Sequence, residues 1–135
     1  MKSAKYFFFY LFVLIFLLSS CEKDEATLSK KEMLTTKSWR TISSSINGVL
    51  DIREDCLKDD ILTFFADGKY TIDPGTIKCS PIDKIETGTW TLSGDEKNLT
   101  INGEDMMIIV ELTKSRLVIT QIVGSNKVEL TLISI

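Results

Sequence analysis

The sequence predicts an all-β domain: an antiparallel up-and-down barrel of about eight short strands, preceded by a short N-terminal helix. Three observations carry this. From Trp39 to Ile135, short runs of alternating apolar and polar residues recur at near-regular spacing. Turn signals separate them, among them Asn47-Gly48, Asp67-Gly68, Asn102-Gly103 and Gly124-Ser125-Asn126. Ahead of them, Ser29-Lys30-Lys31-Glu32 reads as a capping box, with Leu28 and Met33 placed to form a hydrophobic staple. Sequential hairpins favour a meander, and closure would remove exposed edges.

The elements follow in order. The helix spans roughly residues 29–36 and ends before Trp39. Trp39 to Ile46 is the first strand, closed by Asn47-Gly48. Residues 51–60 form an acidic loop with Asp51, Glu54, Asp55, Asp59 and Asp60. Ile61–Phe65 and Lys69–Asp73 are strands around Ala66-Asp67-Gly68. Two registers compete there. A two-residue Asp-Gly loop pairs Phe64 with Thr71. A three-residue loop with Gly68 left-handed pairs Phe64 with Tyr70 and Leu62 with Ile72. The second gathers the apolar residues on one face and is preferred.

Pro74-Gly75 breaks the strand, and residues 74–84 form a loop. Thr87 to Leu92 alternates, with Gly88, Trp90 and Leu92 on one face. After a turn at 93–97, Asn98–Asn102 is a short strand. The next strand, Met106 to Thr113, places Met106, Ile108, Val110 and Leu112 on the inner face. Arg116–Val123 and Lys127–Ile135 complete the set. In the last, Val128, Leu130 and Leu132 face in, while Lys127, Glu129 and Thr131 face out.

The N-terminus reads as an export signal. Lys2 and Lys5 precede an unbroken apolar run of 13 residues, Tyr6 to Leu18, too short for a spanning helix. Leu18-Ser19-Ser20-Cys21 follows, and it resembles the lipobox of bacterial lipoproteins. The resemblance implies removal of residues 1–20 and acylation of Cys21, hence a membrane anchor. Residues 21–27 are then a lipidated tether and residues 28–135 the domain. Glu22-Lys23-Asp24-Glu25 resembles the lysine-then-acidic export signal of Bacteroidetes-type lipoproteins, which implies the outer membrane and exposure at the cell surface. A solvated charged linker explains the same residues.

Composition narrows the function. The leader removes two lysines and no acid, so the net charge of −3 falls to −5. There is no basic stripe for nucleic acid, and the net charge opposes docking on anionic lipid heads. The chain has no histidine, which removes Ser-His-Asp and Cys-His catalysis and His-ligated metals. Glu86, Asp105 and Glu111 are the carboxylates to weigh as an acid–base pair, but no spacing brings two together. The expectation is a non-enzyme without cofactor, metal or catalytic residues. The acidic loop could suit calcium but lacks the EF-hand spacing. Cys56 and Cys79, an even pair in an exported chain, read as a disulfide rather than a metal site.

Several elements in order resemble the lipocalin-like domain of small Bacteroidetes-type lipoproteins. They are the helix leading into Lys37-Ser38-Trp39, Asp55-Cys56-Leu57-Lys58-Asp59-Asp60, Leu62-Thr63-Phe64 with Asp67-Gly68-Lys69-Tyr70, Cys79, and Thr87-Gly88-Thr89-Trp90. The resemblance covers roughly residues 28–135. It implies a lipocalin-like β-barrel with a Cys56–Cys79 disulfide. Lipocalins carry Gly-x-Trp at the first strand; here Lys37 stands in the glycine position.

The inward set is the candidate ligand lining: Trp39, Leu62, Phe64, Tyr70, Ile72 and Trp90, continued by Met106, Ile108, Val110, Leu130 and Leu132. These side chains either line a pocket for a small apolar molecule or simply fill the core. Trp39 is expected to plug one end. Tyr70 and Trp90 are the expected polar handles. The leading expectation is a lipid-anchored envelope protein binding a small apolar molecule. The alternative is a filled barrel serving as a protein-interaction or structural module at the cell surface, with Phe65, Met107, Ile109 and Ile133 as its outward apolar patch.

Overall fold

The computed structural model describes residues 28–51 and 55–135. The leader, Cys21, the tether and Glu54 lie outside them.

Helix α1 spans Lys30–Thr35. It starts where the capping box places it: the Ser29 hydroxyl accepts from the Glu32 N–H, and the Glu32 carboxylate accepts from the Ser29 N–H. Those bonds hold the Glu32 carboxyl below the usual carboxylate range, the Ser29 backbone N–H contributing most.

Nine strands follow: β1 Ser38–Ile46, β2 Val49–Asp51, β3 Ile61–Phe64, β4 Lys69–Asp73, β5 Glu86–Leu92, β6 Asn98–Ile101, β7 Asp105–Leu112, β8 Arg116–Val123 and β9 Asn126–Ser134. Each of β3 to β8 pairs antiparallel with the next, and β1 pairs with both β3 and β9. That closes an eight-stranded barrel of β1 and β3–β9. The ninth, β2, is additional to the eight expected strands, and its last residue, Asp51, falls in the stretch expected to be loop. It folds back on the far half of β1 through the Asn47-Gly48 turn, pairing Ile46 with Val49 and Ser44 with Asp51.

The β3–β4 register is the preferred one: Phe64 pairs with Tyr70 and Leu62 with Ile72. The Phe65 N–H donates to the Lys69 carbonyl, and Gly68 turns the chain at φ +85°. Only a residue without a Cβ takes that conformation without strain.

The inner face of β7 differs from expectation. Met106, Ile108 and Val110 point outward and are 59 %, 48 % and 57 % exposed, whereas Ile109 is buried and Met107 half-buried. The cause is a β-bulge. Ile109 pairs with Ile119 but Glu111 pairs with Val118, so Val110 is an extra residue and the side-chain parity reverses there. Leu112 faces in as expected, but residues before the bulge sit on the opposite parity. The register of β6 and β7, pairing Leu99 with Met107, seats Met107 beside the fully buried Leu99.

The barrel has one closed and one open end. α1 packs over the closed end, where Leu34 is fully buried and accepts a 3.0 Å hydrogen bond at its carbonyl from the Trp39 indole N–H. Lys30 Nζ reaches the Glu96 carbonyl in the β5–β6 turn at 2.8 Å. Phe64 and Trp90 meet edge to face behind it, centroids 5.2 Å apart. The other end carries the β1–β2 hairpin, the segments joined by the Cys56–Cys79 disulfide, and the β6–β7 and β8–β9 turns.

Candidate functional site

A cavity of about 200 Å³ occupies the barrel above the closed end. Its wall is mainly apolar: Leu62, Phe64 and Ile72 from β3 and β4, Leu99 and Ile101 from β6, Met107 from β7, Ile119 from β8, and Leu130 and Leu132 from β9. Thr41, Asp60 and Tyr70 add polar atoms. An apolar space of this size, open at one end, suits a compact molecule; cavities of about 150 Å³ already take a single aromatic ring.

Six of the eleven expected lining residues are in this wall: Leu62, Phe64, Tyr70, Ile72, Leu130 and Leu132. Trp39 and Trp90 belong to the core at the closed end and do not line the cavity. Met106, Ile108 and Val110 are outside the barrel for the reason given above. Sequence reading missed Thr41, Asp60, Leu99, Ile101, Met107 and Ile119. The alternation of Leu99 and Ile101 was a usable signal. For Met107 the bulge hid it.

The polar handles also differ. The Trp90 indole N–H is committed to the Phe65 carbonyl at 3.0 Å and offers nothing to a ligand. The Tyr70 hydroxyl accepts from Asn102 Nδ2 at 3.1 Å, and Asn102 Oδ1 accepts from the Thr89 N–H at 3.0 Å. In that arrangement the phenol still has its own proton to donate. The Tyr70 ring lies across Gly88 on the neighbouring strand. A Cβ at Gly88 would stand 2.7 Å from Tyr70 Cζ and against Asn102 Oδ1. Gly88→Ala should therefore displace both side chains and destabilise by about 1–3 kcal/mol. Thermal unfolding measures this, and a melting temperature within a degree of wild type would refute the close approach.

A second polar group faces the interior from β1. Ser44 is 2 % exposed and its hydroxyl has no hydrogen-bond partner. Its register opposite Leu130, a cavity-wall residue, puts it on the inner face. A buried hydroxyl left unpaired is destabilising. Ser44→Ala should raise the unfolding temperature slightly, by the equivalent of about 1 kcal/mol. If the hydroxyl serves a ligand, the same change lowers affinity; a fall in both stability and affinity would mean a structural role instead.

At the open end the cavity adjoins a groove of about 440 Å³, with which it shares Asp60 and Ile72. The disulfide forms one side of the groove, Cα atoms 5.1 Å apart. Ile82, Asp83, Lys84 and Glu86 line the other. Asp59 ties this region together. Its Oδ2 accepts from the N–H groups of Thr76 at 2.7 Å and Ile77 at 3.0 Å, and from the Thr76 hydroxyl at 3.1 Å. These bonds hold its carboxyl below the usual range, the Ile77 N–H contributing most.

The weighed carboxylates do not converge. Glu111 pairs with Arg116 at 3.3 Å at the closed end, while Glu86 and Asp105 lie toward the mouth. Among the described residues no three His, Cys, Asp or Glu side chains gather into a metal-binding group.

An eight-stranded up-and-down barrel, plugged at one end by a helix and hollow toward the other, is the architecture of a small-molecule-binding barrel. The family model for the lipocalin-like domain matches residues 35–119, and the chain belongs to that family. Comparison with curated proteins and with solved structures finds no match.

Proposed function

We propose that this protein is a lipid-anchored lipoprotein of the bacterial outer membrane whose barrel holds a small apolar molecule. The apolar cavity at the open end carries the reading. The anchor is supported by the lipobox-like Leu18-Ser19-Ser20-Cys21, and the address by Glu22-Lys23-Asp24-Glu25 after it. The barrel acts as a carrier or receptor rather than a catalyst, since the chain lacks histidine and Glu86, Asp105 and Glu111 do not converge. Thr41 and Tyr70 give the ligand's polar atoms partners inside an otherwise oily wall.

Two measurements test it. Native mass spectrometry of the protein from its own host should reveal a bound small molecule. Titration with one-ring aromatics and short-chain alcohols should move the methyl resonances of Leu99, Ile119 and Leu130. Leu130→Phe, which fills part of the cavity, should abolish those shifts. Methyls indifferent to every compound, with no adduct on the native protein, would overturn the reading.

One observation favours the second reading, an interaction module. The outer face of β7 and β8 exposes Met106, Ile108, Val110 and Ile122 together. Met107 and Ile109, first assigned to such a patch, are instead on the inner side, while Phe65 is 43 % exposed at the closed end. Ile108→Lys with Val110→Lys should abolish capture of an envelope partner under this reading; unchanged capture removes it.

A further inference from the structure

Charge is segregated along the barrel axis, and the described chain begins at the basic end. Lys30 and Lys31 lie on α1, Lys37 joins it to β1, Lys69 ends the β3–β4 loop, Lys97 ends the β5–β6 turn, and Lys114 and Arg116 flank the β7–β8 turn. The helix and each of the three turns at the closed end thus carry or adjoin a base. Of the acids there, Glu96 lies in the β5–β6 turn without an ion pair among the described residues, and the other four are committed locally. Glu32 closes the capping box. Asp95 accepts from Ser93 and from the Lys97 N–H. Asp67 lies 3.5 Å from Lys69, and Glu111 is paired with Arg116. Among the described residues, Lys30, Lys31, Lys37 and Lys114 form no ion pair with a carboxylate. The mouth end carries more acid than base, with Asp60, Asp73, Asp83, Glu86, Glu104 and Asp105 on its loops and strand ends against Lys58, Lys78, Lys84 and Lys127. The whole-chain charge of −3 conceals this division, which is why net charge alone argues against a lipid surface.

We propose that the closed, helix-capped end docks on an anionic lipid surface, so that the cavity mouth points away from the membrane. Two facts select this occupant. The exposed lysines match phosphate head groups and are attracted within about a Debye length of them. Residues 22–27 separate Cys21 from Leu28, where the described chain begins, and a fully extended chain from Cys21 to Leu28 reaches no more than roughly 25 Å. That span ends at the N-terminus of α1, on the basic end, so an acylated Cys21 holds this end near the bilayer. Acyl chains with a basic patch form the pair of signals that secures membrane attachment. The acidic mouth is repelled by the same surface. Ligand then enters and leaves on the aqueous side, rather than being drawn from the bilayer beneath. The inference rests on the anchor reading of Cys21, and its test separates the two.

The processed chain is placed in vesicles of phosphatidylglycerol and phosphatidylcholine that carry a nickel-chelating lipid. Spin labels are attached at Ser115→Cys, in the β7–β8 turn of the closed end, or at Ser125→Cys, in the β8–β9 turn of the mouth. Both positions are exposed, and neither touches the cavity. The label at 115 should relax several-fold faster than the label at 125. The difference should shrink in high salt, in pure phosphatidylcholine, and in a Lys31→Glu, Lys37→Glu, Lys114→Glu variant. Intact mass reads the acylation of Cys21 independently. A lipidated chain whose two labels relax equally, or whose mouth label relaxes faster, overturns the orientation alone. A chain with no acyl groups overturns the anchor and the orientation with it.

Discussion

Replacing Trp39 by alanine should be the most damaging single change in the domain, lowering stability by about 3–5 kcal/mol. Trp39 is fully buried, and its ring joins α1 to the wall of the barrel. Truncation removes the apolar contact, leaves a void at the closed end, and strips the Leu34 carbonyl of its donor. For a domain of about 100 residues each kcal/mol moves the melting temperature by roughly 4–8 °C. Trp39→Phe keeps most of the volume but not the N–H, so it should fall well short of the alanine loss. The loss in Trp39→Phe reads mainly the hydrogen bond, and the further loss in Trp39→Ala reads the void. A Trp39→Ala protein that melts within a few degrees of wild type would mean that α1 is not part of the cooperative unit.

Much of the architecture was legible because local signals agreed with one another. The capping box set the helix start, and the turn at Gly68 with apolar partners on both sides set the β3–β4 register. The alternation of Thr87 to Leu92 gave the faces of β5, with Trp90 buried as expected. Two things escaped, both for physical reasons. In β7, Met106 to Val110 is apolar at every position, so alternation names no inner face, and the bulge defeats the parity inferred from Leu112. In β2, three residues have too little pattern to register as a strand; pairing with β1 creates it.

The site was only half legible. A side chain can be assigned to the inner face from sequence, but whether it borders space or fills it depends on how the opposite walls meet. Trp39 and Trp90 point in and are consumed by packing, while Leu62, Ile72 and Leu130 point in and border the cavity. Hydrogen-bond commitments are equally invisible in sequence. Nothing around Trp90 announces that its N–H caps the Phe65 carbonyl, or around Ser44 that its hydroxyl has none. The charge segregation was written in the sequence, but only the topology assigns each lysine to an end.

Removing the disulfide with Cys56→Ala and Cys79→Ala should lower stability by about 3 kcal/mol in the chain-entropy picture, for a separation of 23 residues. The effect on function should exceed what that loss implies, because the bridge fastens the segment after β2 to the loop after β4, the two that border the groove. The Asp59 carboxylate makes a second tie between them, through Thr76 and Ile77. Its lowered carboxyl pKa means this tie contributes above the unfolded carboxylate range and is lost as pH falls through the folded value. The disulfide does not titrate, so wild type should keep its mouth intact in mild acid. The double-alanine protein should open there first. Hydrogen exchange at pH 7 and in mild acid reads this residue by residue. Amides of 74–85 should exchange faster in the variant, more so in acid, while those around Trp39, Leu117 and Leu132 at the closed end hardly change. Ligand affinity should fall with them, since the groove adjoins the cavity at Asp60 and Ile72. Uniformly faster exchange at both ends would make the bridge a support of the whole barrel. Unchanged affinity in the double-alanine protein would remove the groove from the site.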